Sequence, residues 1–170
     1  MSSTDESPFA WREALRLREI SAYQTNDVVE GKSQAGWKYQ VDLGNEYQAL
    51  ERLLSVIEIV ISQPRHQWPS DEEWRTKFPS WFNEKTPSYS REEAESILAL
   101  RAKEGWYEIP WDFGSWLDAI REREWMWYAY EEHLPYVTIY LGLSGWPANL
   151  GTIEHVFKCA GAQIMTNEKM

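Results

Sequence analysis

A chain of 170 residues can bury a sizeable core without disulfides or metals as staples, and its 43% hydrophobic content with 11 Trp, 9 Tyr and 5 Phe excludes disorder as its main state. Seventeen Lys and Arg against 27 Asp and Glu give a net charge of -10, a field that repels nucleic acid and anionic membrane and attracts basic partners. Cys159 is the single cysteine, the opening MSSTDESPFA has neither the basic start nor the apolar run of a signal peptide, and the apolar stretch at 53–61 is short and carries Glu58. A cytoplasmic protein with no membrane anchor is expected.

Residues 1–8 are small, polar and acidic and are expected to fray, leaving 9–170 as one domain. Over 11–20, Trp11, Ala14, Leu15 and Arg18 fit a helix while Leu15 and Leu17 alternate, and the reading leans to a strand. Gly31 and Gly36 bracket a turn-rich stretch. Trp37, Tyr39, Val41 and Leu43 then alternate with polar residues, as in a half-buried strand. Tyr47, Leu50, Leu53, Leu54, Ile57 and Ile61 recur at helical steps and predict a helix over 45–62, with Leu50, Leu54 and Ile57 in the core.

Four prolines between Pro64 and Tyr89 suggest short helices joined by tight loops rather than a second core. Ser70 with Glu73, and Ser90 with Glu93, have the spacing of capping boxes, so the acids beside them are read as helix caps. The second helix should run to Gly105. A short helix is expected at 115–121, then a strand at 124–130 with Trp125 and Trp127 on one face and Met126, Tyr128 and Tyr130 on the other. Residues 131–135 would be a hairpin loop leading into a strand at 136–143. Gly145, Trp146 and Pro147 end that strand. Asn149 can cap a helix with Ile153, Val156, Phe157 and Ala160 on its buried face and Gly161 at its end, and 162–165 can supply a final edge strand. The class is α+β, with an antiparallel-rich sheet packed with helices.

Chemical motifs are absent. The sequence has no GxGxxG, no phosphate-binding GxxxxGK, no HExxH and no paired CxxC, so no cofactor and no metal are expected. Ser144 in Gly142-Leu143-Ser144-Gly145 lacks the glycine two residues later that a nucleophile elbow needs, and reads as a strand-ending turn. His155 and Cys159 stand four apart on the predicted last helix and could meet, but a pair with no orienting third group is weak support for catalysis. His66 and His133 are isolated in the sequence.

The informative segment is acidic and aromatic. Residues 106–135 hold Trp106, Trp111, Trp116, Trp125 and Trp127, and residues 104–132 hold eight acids against Arg121 and Arg123. Most of these Trp residues are read as core, because Trp is buried on average, while the carboxylates could steer a basic partner. Glu108, Trp111, Asp112, Asp118, Glu122, Glu131 and Glu132 are the candidate docking residues, with Trp111 as the anchor and Glu108 and Glu122 the weakest members.

Phe78-Pro79-Ser80-Trp81-Phe82, Phe113-Gly114-Ser115-Trp116-Leu117, Arg123-Glu124-Trp125-Met126-Trp127, Gly145-Trp146-Pro147 and Ala160-Gly161-Ala162 together resemble a succession found in a group of uncharacterised bacterial proteins. That likeness covers residues 78–162 and implies no catalytic residue. By type, a small, acidic, Trp-rich α+β chain resembles the immunity proteins of bacterial toxin systems, which bind and block a cognate toxin. The expected function is therefore binding rather than catalysis: an acidic, aromatic surface occluding the basic active site of a toxin, with no direct contact to nucleic acid. An inhibitor, of phage or host origin, of a nucleic-acid-handling enzyme is one alternative. An enzyme whose catalytic residues are brought together only by folding is another.

Overall fold

In the computed structural model, which describes residues 8–45, 47–104 and 110–170, four strands form one antiparallel sheet. They are β1 (Trp37–Asp42), β2 (Trp125–His133), β3 (Tyr136–Leu143) and β4 (Gln163–Lys169), in the order β2-β3-β1-β4. Eight α-helices accompany them among the described residues: α1 (Pro8–Thr25), α2 (Val28–Gln34), α3 (Gln48–Ile61), α4 (Asp71–Lys77), α5 (Ser80–Lys85), α6 (Arg91–Glu104), α7 (Phe113–Arg121) and α8 (Gly151–Ala160). The class is α+β. The chain divides into two compact units, one made of Met1–Trp68 and Arg123–Met170, the other of Pro69–Glu122.

The first unit holds the whole sheet. Register sets Trp37, Tyr39 and Val41 of β1 opposite Leu141, Ile139 and Val137 of β3, so their side chains share one face. Phe157 of α8 meets Tyr39 edge-on with ring centroids 5.1 Å apart, and α3 packs beside α8, which closes the core over that face. The buried stripe of α3 is Ala49, Leu50, Leu53, Val56, Ile57, Val60 and Ile61. Each fully buried Leu or Ile of this kind stabilises by about 1.5–3 kcal/mol relative to exposure. α2 lies across the other face, where Gly31 approaches so closely that a Cβ there would stand 2.7 Å from the Ala129 Cβ. α8 ends as expected at Gly161, whose φ of 94° is left-handed and whose following residue, Ala162, donates its amide to the Phe157 carbonyl at 2.9 Å.

The second unit is helical and has an aromatic centre. The Phe78 ring lies 5.2 Å from Trp74, 4.9 Å from Phe82 and 5.6 Å from Trp116, and all four residues are buried. Its helix starts are capped as expected: Ser70 Oγ accepts from the Glu73 amide at 3.3 Å, and Ser90 Oγ from the Glu93 amide at 3.1 Å. Three of the four prolines, Pro69, Pro79 and Pro87, therefore lie in a unit with a core of its own, contrary to the expectation that this stretch would have none.

Other expectations need correction. Residues 11–20 are helix, not strand: Ala, Leu, Glu and Arg dominate, and the Leu15/Leu17 alternation is outvoted by helix propensity. The stretch opened by Gly31 is mostly α2, which Asp27 caps by accepting the Glu30 amide at 3.0 Å. The hairpin loop is shorter than five residues, because Glu131, Glu132 and His133 pair with Thr138, Val137 and Tyr136 and leave only Leu134 and Pro135 outside the ladder. Tyr47 is 68% exposed and Leu54 only half-buried, since the core stripe of α3 is centred on Leu53 and Ile57. Of the residues 1–8 expected to fray, Pro8 opens α1; the others, together with Glu108 and the helix stop at Gly105, lie outside the described residues.

Candidate binding surface

The proposed docking residues fall in both units. Trp111, Asp112, Asp118 and Glu122 belong to the second, and Glu131 and Glu132 to the first. In the second unit, α7 buries Phe113, Trp116, Leu117 and Ile120 and turns Asp118 outward. Glu122, at the helix C-cap, is also exposed, and the two carboxylates stand four residues apart. Asp112 has a structural task as the cap of α7: its Oδ2 accepts from the Ser115 amide at 3.1 Å and its Oδ1 from the Tyr89 amide at 2.8 Å. Its charge also acts on Arg75, whose guanidinium lies 3.6 Å from the centre of the Phe113 ring. Burial pulls the Arg75 pKa down, against Asp112 and Asp71 which raise it. Trp111 is half-buried and lines an open, mainly apolar groove of about 350 Å³ with Tyr89, Ile97, Leu98 and Pro110.

In the first unit, Glu131 is half-buried in β2 and its carboxylate meets the His133 Nε2 at 2.5 Å. Glu132 is exposed. Trp116, Trp125 and Trp127 are fully buried, in keeping with their reading as core, and Trp106 lies outside the described residues.

The aromatic and Arg-containing motifs of the sequence hold structural posts. Arg123 is buried and donates to Glu19 Oε1 at 2.5 Å, while Glu19 Oε2 accepts from the Trp127 amide at 2.7 Å. The Trp125 indole donates to Thr152 Oγ1 at 2.9 Å. Phe78 and Phe82 supply the aromatic centre of the second unit, and Ala160-Gly161-Ala162 is the C-terminal turn of α8.

The His155–Cys159 pair does meet, with Sγ 3.3 Å from Nε2. Burial, helped by Lys158, pushes the His155 pKa down to about 4, so the imidazole is neutral at pH 7. A thiolate–imidazolium pair, the state that activates a cysteine, is disfavoured in that setting, and Cys159 is 4% exposed. Ser144 Oγ donates to the Glu124 carbonyl at 3.1 Å, as suits a turn that closes a strand. Among the described residues no group of three or more His, Cys, Asp or Glu could hold a metal ion, and no helix is long and apolar enough to cross a membrane.

Sequence reasoning missed Trp146. It is 65% exposed in the loop between β3 and α8, and its ring stacks on Trp37 with centroids 5.2 Å apart. The available signal was a Trp between Gly145 and Pro147, in a segment without periodicity that could place it in a core. No family model, curated protein or solved structure matches this chain.

Proposed function

We propose that the chain is a binding protein of the immunity type, which neutralises a basic toxin by covering its anion-binding active site with an acidic surface. The observation that carries this reading is the placement of Asp118 and Glu122. Both are exposed at the C-terminal end of α7, where the helix dipole disfavours negative charge, and their four-residue spacing sets like charges side by side. Each of these choices costs a few tenths of a kcal/mol or more in an isolated helix, so stability does not account for them. A basic partner would: two carboxylates on one ridge steer it and compete with the phosphates it binds. The net charge of -10 acts in the same direction at long range.

The test is capture of a partner by the immobilised protein, followed by surface plasmon resonance at several salt concentrations. A stoichiometric basic protein whose toxicity is suppressed is expected. Its association rate should fall as the Debye length drops from about 30 to about 10 Å, and should fall about tenfold further in Asp118→Lys with Glu122→Lys. Reversal of Asp71, Glu72 and Glu73, which sit in the first turn of α4, is the comparison. Equal effects from both sets, or turnover of a small molecule by the isolated chain, would overturn the reading.

A further inference from the structure

The groove beside Trp111 lies wholly in the second unit and has two unlike sides. One is α6, a helix of 14 residues of which none is buried. The aromatic centre made by Trp74, Phe78, Phe82 and Trp116 closes without it. Yet α6 carries Ala94, Ile97 and Leu98 at three- and four-residue steps, and all three line the groove, with Leu98 45% exposed. Core packing does not account for this stripe, which faces an open space of about 350 Å³.

The other side is the start of α7, where Asp112 and Ser115 line the groove. Asp118 and Glu122 follow Ser115 at three and seven residues, so the three positions stand on one face of the helix, and all three are exposed. At the rise of an α-helix, the two acidic positions lie about 4.5 and 10.5 Å beyond Ser115. The apolar groove therefore runs on into the acidic ridge. Arg101 continues the stripe of α6, four residues after Ile97, which leaves α7 as the anionic side.

We propose that groove and ridge together receive one amphipathic, basic segment of the partner, with two neighbouring apolar side chains in the groove and a flanking Lys or Arg against Asp118 and Glu122. This rests on the reading of the chain as a binder of a basic toxin, and it names the part of the toxin that is held. Volume sets the number of side chains: a cavity of about 150 Å³ holds a benzene ring, so the groove takes about two groups of ring or leucine size. Charge complementarity sets the flank. A second copy of the chain brings the same acidic ridge and a net charge of -10, and a neutral hydrophobe gains nothing from the ridge. Trp111 is then a wall of the receiving site, in keeping with its half-buried state, and not an anchor that projects into the partner.

The experiment is a titration of the full chain, labelled with ¹⁵N at the Trp indoles and followed by NMR. The probes are three capped peptides: one of Lys and Leu with Leu at three- and four-residue steps, one with Glu in place of each Lys, and one with Gln in place of each Leu. The Lys/Leu peptide should shift the Trp111 indole selectively, and the other two should bind at least about tenfold more weakly. Leu98→Glu separates shape from charge: an added carboxylate would tighten the Lys/Leu peptide if charge alone mattered, whereas a blocked groove should lose the Trp111 shift. The buried Trp74 and Trp116 indoles, unmoved, report an intact unit, and Leu98→Gln, a milder change at the same exposed position, should weaken the peptide in the same direction. Asp118→Lys with Glu122→Lys should weaken the Lys/Leu peptide about tenfold and favour the Glu/Leu one. Equal binding of the peptide without Leu, tighter binding in Leu98→Glu, or a Trp111 shift on concentrating the protein alone, the mark of a second copy in the groove, would overturn the proposal. Toxin capture separates the two readings. A captured toxin that depends on Asp118 and Glu122 but not on Leu98 removes the groove and leaves the immunity reading standing, and a peptide-binding groove in a chain that captures no basic protein does the reverse.

Discussion

Along β2, outward-facing backbone groups are met by side chains of α1 and of the residue after it. Glu19 takes the Trp127 amide, and the Asn26 side chain both accepts from the Tyr130 amide at 2.9 Å and donates to the Tyr130 carbonyl at 3.1 Å, as a neighbouring strand would. At the opposite edge, β4 is exposed at every position except the half-buried Ile164. Its register with β1 shifts between Gln40 and Val41, and it ends in Glu168 and Lys169, with Glu168 paired to Lys38 at 2.9 Å. One edge is covered and the other is guarded by a bulge and by charge, two known defences against edge-to-edge aggregation. The difference is in tolerance. Covering an edge draws polar groups out of water and makes each depend on its partner, whereas surface charges depend on little.

Substitutions at the two edges should therefore separate widely. Glu19→Ala leaves the Arg123 guanidinium buried without its carboxylate and orphans the Trp127 amide, so chemical denaturation should show a loss of about 3–5 kcal/mol. Glu19→Gln, which keeps the shape and an acceptor, should recover part of it. A loss below about 1 kcal/mol for Glu19→Ala would show that water replaces the carboxylate and that the edge is not covered in the sense argued. Gly31→Ala should cost about 1–3 kcal/mol, because the new methyl meets Ala129 where α2 crosses the sheet. Asn26→Gly, which suits the left-handed φ of 44° at that position but removes both bonds to Tyr130, should cost about 1–2 kcal/mol and speed hydrogen exchange at the Tyr130 amide. At β4, Lys38→Ala and Glu168→Ala, singly or together, should leave the denaturation midpoint unchanged. A measurable loss there would erase the contrast between the edges.

How much of this was legible follows from where periodicity is honest. β1, α3 and α8 bury apolar residues at the period of their own geometry, and β3, buried continuously from Ile139 to Gly142, is marked by its β-branched and aromatic run. α1 does not, because the groups it and the residue after it turn toward β2 are Glu19 and Asn26. These are polar residues recruited to satisfy a strand edge, and no hydrophobic pattern records them. Gly31 misleads for a related reason: it reads as a turn until Ala129, about a hundred residues away, supplies the need for a missing side chain. The candidate site divides in the same manner. Asp118 and Glu122 are exposed as a charge pattern suggests, whereas Asp112, grouped with them, caps α7. Trp146 escaped because an exposed Trp and a core Trp are the same letter.

The position of β1 also bears on the making of the protein. Val41 pairs with Val137 on one side and Ile164 on the other, so the strand at the heart of the sheet has no partner until roughly a hundred further residues have been made. At a synthesis rate of about 5–20 residues per second, that interval is about 5–20 s. During it the alternating Trp37, Tyr39 and Val41 stand with both edges open, while β2 and β3, only two residues apart, can zip locally once they emerge. Pulse-labelling hydrogen exchange on refolding chains should accordingly find the β2–β3 amides protected before those of β1. A ribosome-bound chain stalled before β3 would display an unpaired central strand, the species on which a chaperone would act.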